Sequence, residues 1–200
     1  MPTTSSKLRV TQTLISSWEY GLKADDGYED FLRTLRREPK PVTKAMLDGQ
    51  RFENVLNNVL KGEPIPEDHE WYGVIMQMAE ELYGAQQQVT IFKEIPVDGE
   101  TVLLHGVLDY LKAGKIYDCK FSKKYHFNKY LGSPQHPMYL RLVPEASQFV
   151  YIISDGAYVF REQYDRDDIT PIDYTIHHFF EFLKVQNLWE TFVENWTTNS

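Results

Sequence analysis

Two aspartates and a lysine are spaced so that they could bind a divalent cation. Asp118 and Lys120 are two residues apart in a strand-like stretch, and Asp109 precedes them across a turn at Ala113-Gly114. Because side chains alternate along a strand, Asp118 and Lys120 share one face, and a hairpin over this turn places Asp109 opposite Asp118. Facing carboxylates repel each other, so the pattern predicts Mg²⁺ or Mn²⁺ between them, with Lys120 placed to orient an attacking water. The alternative is that both aspartates face solvent.

A third carboxylate, Glu53, flanks the apolar stripe of a predicted helix, at the edge that would face the sheet. Gly49 lies one turn earlier, and because it lacks a Cβ atom we expect this helix to approach the sheet closely. The acid-x-Lys triplet is weakly specific by itself, since residues 38–40 repeat it. That copy lies between prolines with no strand before it, so the sequence favours the later copy.

The chain has a formal net charge of −8, but its charges are unevenly distributed. Residues 109–130 contain six lysines and two aspartates, whereas residues 145–194 contain ten acidic and three basic side chains. A basic segment with interleaved aromatic residues, next to a metal site, is typical of nucleic-acid contacts. The alternative is a solvated loop whose aromatic side chains turn inwards. The candidate DNA contacts are Lys123, Lys124, Lys129, Tyr125, Arg33, Arg36 and Arg37.

The elements that must position these residues follow from hydrophobic periodicity and from glycine and proline breakers. Helices are predicted over residues 11–23, 28–37, 43–61, 67–83, 133–142 and 171–196, and strands over 88–95, 101–111, 115–121, 148–153 and 157–164. This order predicts a single α/β or α+β domain over residues 1–200. Its parts are a mainly helical segment (1–85), a sheet core that carries the motifs (86–165) and a C-terminal helix (166–200).

Four motifs follow one another within residues 11–164. The core motifs are Gly106–Asp109 and Ile116–Lys120, a Gly-x-x-x-Glu motif from Gly49 to Glu53 precedes them, and a Gln-x-x-x-Tyr motif from Gln135 to Tyr139 follows them. In this order they resemble the PD-(D/E)XK nuclease superfamily, in particular its RecB-like exonuclease branch, which includes phage and CRISPR-associated enzymes. The resemblance implies a restriction-endonuclease-like core, with a central mixed sheet of about five strands flanked by helices.

The resemblance also implies roles for these residues. The implied catalytic set is Asp109, Asp118, Lys120, Glu53, Gln135 and Tyr139. The implied metal ligands are Glu53, Asp109, Asp118 and the main-chain carbonyl of Cys119. Lys120 would assist the attacking water, while Gln135 and Tyr139 would face the site and help to position DNA. Pro134 and Pro137 depart from the usual form of this last helix, and Gln148 and Tyr151 form a rival pair with the wrong spacing.

The implied activity is that of a metal-dependent deoxyribonuclease that hydrolyses phosphodiester bonds. It would be an exonuclease for single- or double-stranded DNA in recombination, repair or processing, with Mg²⁺ or Mn²⁺ as cofactor. The alternative is a catalytically inactive nucleic-acid-binding or protein-interaction module of the same fold. The expected protein partner is a second copy of the chain or a recombination protein. The expected location is the cytoplasm of a prokaryotic cell or of a virus-infected host.

Several classes of site are excluded at this stage. Cys119 is the only cysteine, so neither an internal disulfide nor an iron–sulfur cluster is expected, and its alternation away from Asp118 predicts a buried thiol. No apolar run reaches the roughly 18 residues of a membrane helix, and residues 1–10 lack a secretory signal pattern. His177 and His178 lie in an aromatic segment without a third metal ligand, so we expect them to pack in the core.

Overall fold

The computed structural model describes residues 6–199, and a mixed seven-stranded sheet forms the centre of this part of the chain. The strands are β1 (Ser6–Thr11), β2 (Gln86–Val97), β3 (Glu100–Lys112), β4 (Lys115–Phe121), β5 (Gln148–Ser154), β6 (Val159–Asp165) and β7 (Thr197–Asn199). The α-helices are α1 (Gln12–Gly21), α2 (Gly27–Leu35), α3 (Lys44–Leu60), α4 (Tyr72–Leu82), α5 (Gln135–Leu142), α6 (Ile172–Val185) and α7 (Trp189–Trp196). The predicted α/β fold with a helix-flanked mixed sheet is confirmed, although the sheet has seven strands instead of about five.

The central strand of the sheet is β3, which has partners on both edges. Strand β2 runs antiparallel along residues 100–111 of β3 and so occupies one edge. Strand β1 pairs in parallel with residues 102–105 and β4 pairs antiparallel with residues 110–112, so these two strands must share the other edge. Within the described chain, residues 106–109 have no strand partner on that edge. A gap therefore opens between β1 and β4, beside the middle of β3.

Two hydrophobic cores cover the two faces of the sheet. The larger core packs helices α1, α2, α5, α6 and α7 against the sheet and includes the buried side chains of Phe31, Phe149 and Phe179. The smaller core packs α3 and α4 against the other face, around Phe52 and Tyr110. Because helices cover both faces, strand β5 is buried along most of its length. The gap in the sheet lies where α3 and α5 approach β3 and β4 from opposite sides.

Strand β1 lies where the sequence predicted no element. Leu8 and Val10 are buried in the larger core, and Arg9 points the other way, so the alternation of a strand is present but covers only a few residues. A parallel strand pairs with a distant part of the chain, and such pairing leaves little local signal. The same applies to β7, which pairs with β1 and begins where the predicted C-terminal helix was expected to end.

The C-terminal segment forms two helices, so the prediction of one helix over residues 171–196 is wrong. Helix α6 ends at Val185, α7 begins at Trp189, and Asn187 between them has a left-handed backbone with φ of +56°. Asparagine tolerates this conformation better than most residues, which allows the turn. Aromatic side chains of both helices lie in the larger core, where Phe179, Phe180 and Phe192 are fully buried.

Two other helices begin later than predicted. Helix α4 begins at Tyr72 because residues 67–71 form turns. Helix α5 begins at Gln135, after a cap at Pro134, and the Ser133 hydroxyl accepts a hydrogen bond from the Gln135 amide at 3.3 Å. Over residues 6–199, no helix combines the length and the apolar character that crossing a bilayer requires.

Candidate active site

Asp109 and Asp118 are neighbours at the gap between β1 and β4. The pairs between β3 and β4 run from Lys112–Lys115 to Tyr110–Tyr117, so the predicted register is confirmed. The next position in this register joins Asp109 to Asp118, and their carboxyl groups interact. The hairpin over Ala113-Gly114 therefore places two carboxyl groups together, as the alternation of the strands predicted.

The alternation of side chains along β3 is interrupted at Asp109, so the residues before and after it point to opposite faces, unlike those of a regular strand. The sequence did not predict this interruption. Leu108 belongs to the larger core, but Tyr110 belongs to the smaller one, where its hydroxyl donates to Asn57 Oδ1 at 2.7 Å. In a regular strand these two residues would face the same side. On β2, the residue opposite Asp109 is Gln88, whose backbone is left-handed with φ of +52°. The irregularity lets the Asp109 carboxyl interact with groups on both α3 and α5.

Asp118 is buried, with only 2% of its surface exposed, and polar groups hold its carboxylate on two sides. The Gln135 side-chain amide of α5 donates a short hydrogen bond to Oδ1. The Lys120 ammonium lies 2.8 Å from Oδ2 as an ion pair without hydrogen-bond alignment, so Oδ2 has no aligned donor among residues 6–199. Asp118 Oδ2 is thus balanced in charge by Lys120 but lacks an aligned hydrogen bond, so it can still accept one from a further donor or bind a cation.

The charges of the cluster are only partly compensated. Burial and the neighbouring Asp118 carboxylate raise the pKa of Asp109 to about 8, and Glu53 adds to the effect while Lys120 opposes it. For Lys120, burial acts to lower the pKa, but the Asp118 and Asp109 carboxylates outweigh it and the pKa is raised. Lys120 is therefore a stable ammonium group, and one lysine faces three acids. Without a further cation, Asp109 holds a proton near neutral pH.

Glu53 lies on α3 and forms the less constrained side of the cluster. Its carboxylate is half-buried and accepts a long hydrogen bond of 3.4 Å from the side chain of Gln88. The expectation that Gly49 brings α3 close to the sheet is wrong, because a Cβ atom at Gly49 would meet nothing within 4 Å. Helix α3 therefore leaves open space at Gly49, one turn before Glu53.

The glycine that permits close approach is Gly106 on β3. A Cβ atom there would lie 2.7 Å from Leu142 Cδ1 and 2.8 Å from Tyr139 Cε1, both on α5. Helix α5 is thus pressed against the strand that carries Asp109. Burial, together with Asp118 and Asp109, raises the pKa of Tyr139 to about 12, so its hydroxyl stays protonated and remains a possible hydrogen-bond donor next to the two carboxyl groups.

The structure also separates the two candidate Gln–Tyr pairs. Gln135 and Tyr139 both lie at the carboxylate cluster, despite the prolines in and before their helix. In the rival pair, Tyr151 is beside Asp118 in the sheet, but Gln148 pairs with Lys115 and donates to Asp165 at 2.7 Å. Only the pair on α5 brings both side chains to the site.

The donor set fits a hard divalent cation. The carboxylate oxygens of Glu53, Asp109 and Asp118 suit Mg²⁺ or Mn²⁺. Within the described residues, the edge of β4 that faces β3 has no strand partner beyond Tyr117. Main-chain groups near Cys119 on that edge are therefore not used in pairing with β3. That the Cys119 carbonyl binds the metal stays a prediction. As placed, no three His, Cys, Asp or Glu side chains within residues 6–199 converge tightly enough to form a ready-made metal site.

The loop between β4 and α5 carries the predicted DNA-contacting lysines. Lys123, Lys124 and Lys129 are exposed, although Lys123 also pairs with Asp48 of α3 at 2.8 Å. Tyr125 is half-buried. Its ring packs on Phe160 with the centroids 4.7 Å apart. The exposed aromatic side chain of this loop is Phe127, 78% of whose surface is accessible.

Arg33, Arg36 and Arg37 do not reach this site. They lie on or directly after α2, which packs on α1 and α7, and none of these helices contributes a residue to the carboxylate cluster. Arg33 and Arg36 form weak ion pairs of 3.9 Å with Glu29 and Glu38, while Arg37 stacks 4.4 Å above the ring centre of Trp196. The sequence identified these three residues as basic, but it could not show that α2 packs away from the carboxylate cluster.

Two residues near the site were not among the predicted site residues. Tyr130 interacts electrostatically with Lys120 and Asp118, and its ring stacks on Tyr151 with the centroids 4.7 Å apart. Glu162 on β6 is buried and accepts a hydrogen bond of 3.1 Å from the main-chain amide of Tyr130. Glu162 thus anchors the lysine-bearing loop. In the sequence, an acidic residue in an alternating strand pattern is expected to face solvent, so Glu162 did not stand out.

Cys119 and the histidine pair have different outcomes. Cys119 packs on the smaller core, on the face opposite Asp118, but it is half-buried where a buried thiol was predicted, and burial raises the pKa of its thiol. His177 and His178 are exposed, so the prediction that they pack in the core is wrong. They lie on the solvent side of α6, and His177 Nδ1 is 2.7 Å from the Asp98 carboxylate.

Comparison with solved structures gives a likeness of fold. The chain matches the crystal structure of SSO0001 with a TM-score of 0.52 and 18% identity, over 90% of this chain and 77% of that one. It also matches the crystal structure of LHK-Exo in complex with dAMP, at a TM-score of 0.47 and 14% identity, over 88% of each chain. The first likeness supports the fold alone, and the second is too distant to bear on function.

No protein-family model matches the sequence, and the search of curated proteins finds no match. The class of this protein is therefore defined by its fold, a mixed α/β sheet flanked by helices, and by the chemistry of the carboxylate cluster.

Proposed function

We propose that this protein is a divalent-metal-dependent nuclease that hydrolyses phosphodiester bonds in DNA. The observation that carries the proposal is the buried Asp118 carboxylate, which is held by Gln135 and Lys120. The Asp109 carboxyl group lies next to it, on the neighbouring strand beside the gap in the sheet. Acids that are kept together at a cost in stability indicate a functional site. A lysine beside them suits a reaction whose transition state gains negative charge.

The proposed cofactor is Mg²⁺ or Mn²⁺, held by Glu53, Asp109 and Asp118. When bound, it would offset the charge of the scissile phosphate and make a water molecule more acidic. The residues of the chain supply the rest. Lys120 can donate a hydrogen bond to the phosphate or to the attacking water. Gln135 fixes the Asp118 carboxylate, and Tyr139 lies beside it as a further donor.

DNA would reach the cluster across the loop between β4 and α5. Lys124 and Lys129 are exposed there, and the exposed ring of Phe127 is the stacking surface that the loop offers to a base. The motif resemblance to RecB-like exonucleases favours cleavage from DNA ends. Linear and circular substrates of the same sequence separate exonuclease from endonuclease action.

A cleavage assay tests this function. End-labelled linear DNA, single-stranded DNA and closed circular DNA are incubated with Mg²⁺, Mn²⁺ or chelator. We expect metal-dependent cleavage that falls by about 100-fold or more in Lys120→Met and Asp118→Asn, the size of effect that follows loss of one transition-state donor. Lys61→Met, at an exposed lysine after α3, is the matched control and should cleave like wild type. Intact substrates with both metals, or full activity in Lys120→Met, would contradict the proposal.

The second candidate is a nucleic-acid-binding module without catalysis. The observation in its favour is that the acids, as placed, do not form a ready-made metal site within residues 6–199. Such a module would bind DNA equally well in chelator, and Asp118→Asn would leave its affinity unchanged. Fluorescence anisotropy with a labelled oligonucleotide, with and without Mg²⁺, distinguishes the two candidates.

A further inference from the structure

A cavity with charged walls lies beside α2 and Trp196, away from the carboxylate cluster. Its volume is about 390 Å³, within the range of small-ligand pockets. It is lined by the basic side chains of Arg9, Arg37 and Lys40, by Thr11 and Thr34, and by Glu38. The cavity is built from β1, α1, the end of α2 with the segment after it, and the end of α7, none of which contributes to the candidate active site.

The three basic side chains of this cavity have only uncharged partners within the described residues. Arg9 hydrogen-bonds to the ring of His105, and Lys40 Nζ donates to Ser17 Oγ at 3.2 Å. Arg37 stacks on Trp196. Burial and the charge of Arg9 lower the pKa of His105, so this histidine stays neutral and adds no charge at physiological pH.

The acid in the cavity wall, Glu38, offsets only part of this charge. Glu38 forms its ion pair with Arg36, which is not part of the wall, at 3.9 Å. Three basic groups therefore face the cavity against one carboxylate. The first turn of α1, which begins after Thr11, contains no acidic residue that could lower the local potential.

Arg9 carries a further sign of an unmet interaction. Its Nε atom is buried and has no acceptor among residues 6–199. Burial, followed by the nearby charge of Arg37, lowers the pKa of Arg9, which means that the fold holds two guanidinium groups close enough to repel each other. A buried donor without an acceptor and two like charges at one cavity are both relieved by an anion.

We propose that this cavity binds a phosphate group. Guanidinium groups match the oxygens of phosphate in shape and charge, and the threonine hydroxyls can supply further donors. The ligand would be either the backbone phosphate of a nucleic-acid strand or free phosphate, since both present the same chemistry. The proposal goes beyond the nuclease function and does not depend on it, because binding is measurable in chelator without cleavage.

Titration of ¹⁵N-labelled protein with inorganic phosphate, at constant ionic strength and in chelator, tests the site. Trp196 gives a direct reporter because its indole N–H, which donates to the Leu35 carbonyl at 2.8 Å, lies beside Arg37. We expect saturable shifts of this signal and of the Thr11 and Thr34 amides. The indole of Trp71 lies in the smaller core and should not move.

Variants of the cavity give the second part of this test. Arg9→Gln should weaken phosphate binding by about thirtyfold or more, since a part-buried guanidinium partner is lost. Lys40→Gln, at an exposed residue that can be changed without loss of folding, should weaken it by about two- to fivefold. Lys61→Gln is the matched control and should bind like wild type.

An oligonucleotide without terminal phosphates then identifies the source of the phosphate. Shifts of the same signals support a strand backbone as ligand, and shifts with inorganic phosphate alone support free phosphate. The proposal is overturned if inorganic phosphate leaves the Trp196 signal unmoved, or if Arg9→Gln and Lys40→Gln both bind phosphate as wild type does.

Discussion

The two helices that flank the candidate active site differ in how tightly their site-facing side chains are held. Helix α5 is pressed onto β3 at Gly106, and its Gln135 side chain is buried against Asp118. Helix α3 leaves open space at Gly49, and its Glu53 is half-buried with one long hydrogen bond. The Gln135 side of the cluster is therefore fixed by packing, whereas the Glu53 side chain on the other side has room to change its position.

This difference explains why the acids are neighbours without forming a ready-made metal site. A cation needs several oxygens at short distance, and Mg²⁺ demands a near-ideal arrangement. The α5 side already fixes the Asp118 carboxylate, so a bound cation would draw in Glu53 from the looser side. The following predictions test this contrast between a rigid and an adjustable side.

A pair of glycine substitutions should show the contrast most strongly. Gly106→Ala forces a methyl group into Leu142 and Tyr139, so we expect a loss of about 1–3 kcal/mol in unfolding free energy, together with lower cleavage activity. Gly49→Ala, in the middle of α3 with open space, should be neutral or stabilise by up to about 1 kcal/mol. Denaturant unfolding measures both. Equal destabilisation by the two variants would remove the contrast.

Asp109→Asn should stabilise the metal-free protein in a pH-dependent way. The raised pKa means that the stability contributed by Asp109 is present at low pH and is lost as pH rises through about 8. The variant avoids this loss, so near pH 8 it should melt above wild type by a few degrees, about 1 kcal/mol, with a smaller difference near pH 5. Asp25→Asn, at an exposed aspartate, is the control. A variant that melts below wild type at both pH values would indicate a charged, well-paired Asp109.

Mg²⁺ should stabilise the wild-type protein more at higher pH. Because the cation favours the deprotonated form of Asp109, binding becomes easier as that group loses its proton near pH 8. At tenfold excess over the dissociation constant the gain is about 1.4 kcal/mol. Thermal melts with Mg²⁺ and with NaCl at equal ionic strength measure it. A Mg²⁺ effect that is the same near pH 6 and near pH 8, or that persists in Asp109→Asn, would place the cation elsewhere.

Glu53→Gln should have the smallest effect on the metal-free fold. Its carboxylate makes one long contact, so the melting temperature in chelator should change by the equivalent of no more than about 0.5 kcal/mol. The stabilisation by Mg²⁺ should nevertheless fall, because a ligand from the adjustable side is lost. Glu29→Gln, at an exposed glutamate of α2, serves as control. A large loss of metal-free stability would mean that this side is as rigid as α5.

Local patterns were sufficient for the hairpin that carries the acids. A tight turn and the alternation of two adjacent strands determine that Asp109 faces Asp118, and this register needs no information from the rest of the chain. The same holds for Lys120, which shares the face of Asp118. The pairing of Gln135 with Asp118 was accessible only through the resemblance of its motif.

Other features of the site could not be predicted locally. The choice between Gly49 and Gly106 as the point of close approach depends on which helix packs on which strand, and both glycines look alike in the sequence. The reversal of β3 at Asp109 depends on two cores that compete for its side chains. Glu162 could not be identified as buried, because the main-chain amide that it accepts from, that of Tyr130, lies in a loop 32 residues away.

The sequence alone therefore determined the elements around the motifs, the register of the acid-bearing hairpin and the chemistry that these side chains can perform, because these depend on near neighbours along the chain. Only the tertiary structure decided that Arg37 lies far from the carboxylates and joins Arg9 at a separate cavity, and that β1 and β4 share one edge of β3 with a gap between them. Such arrangements arise from the packing of distant segments, and packing energy depends on three-dimensional neighbours that no local pattern records.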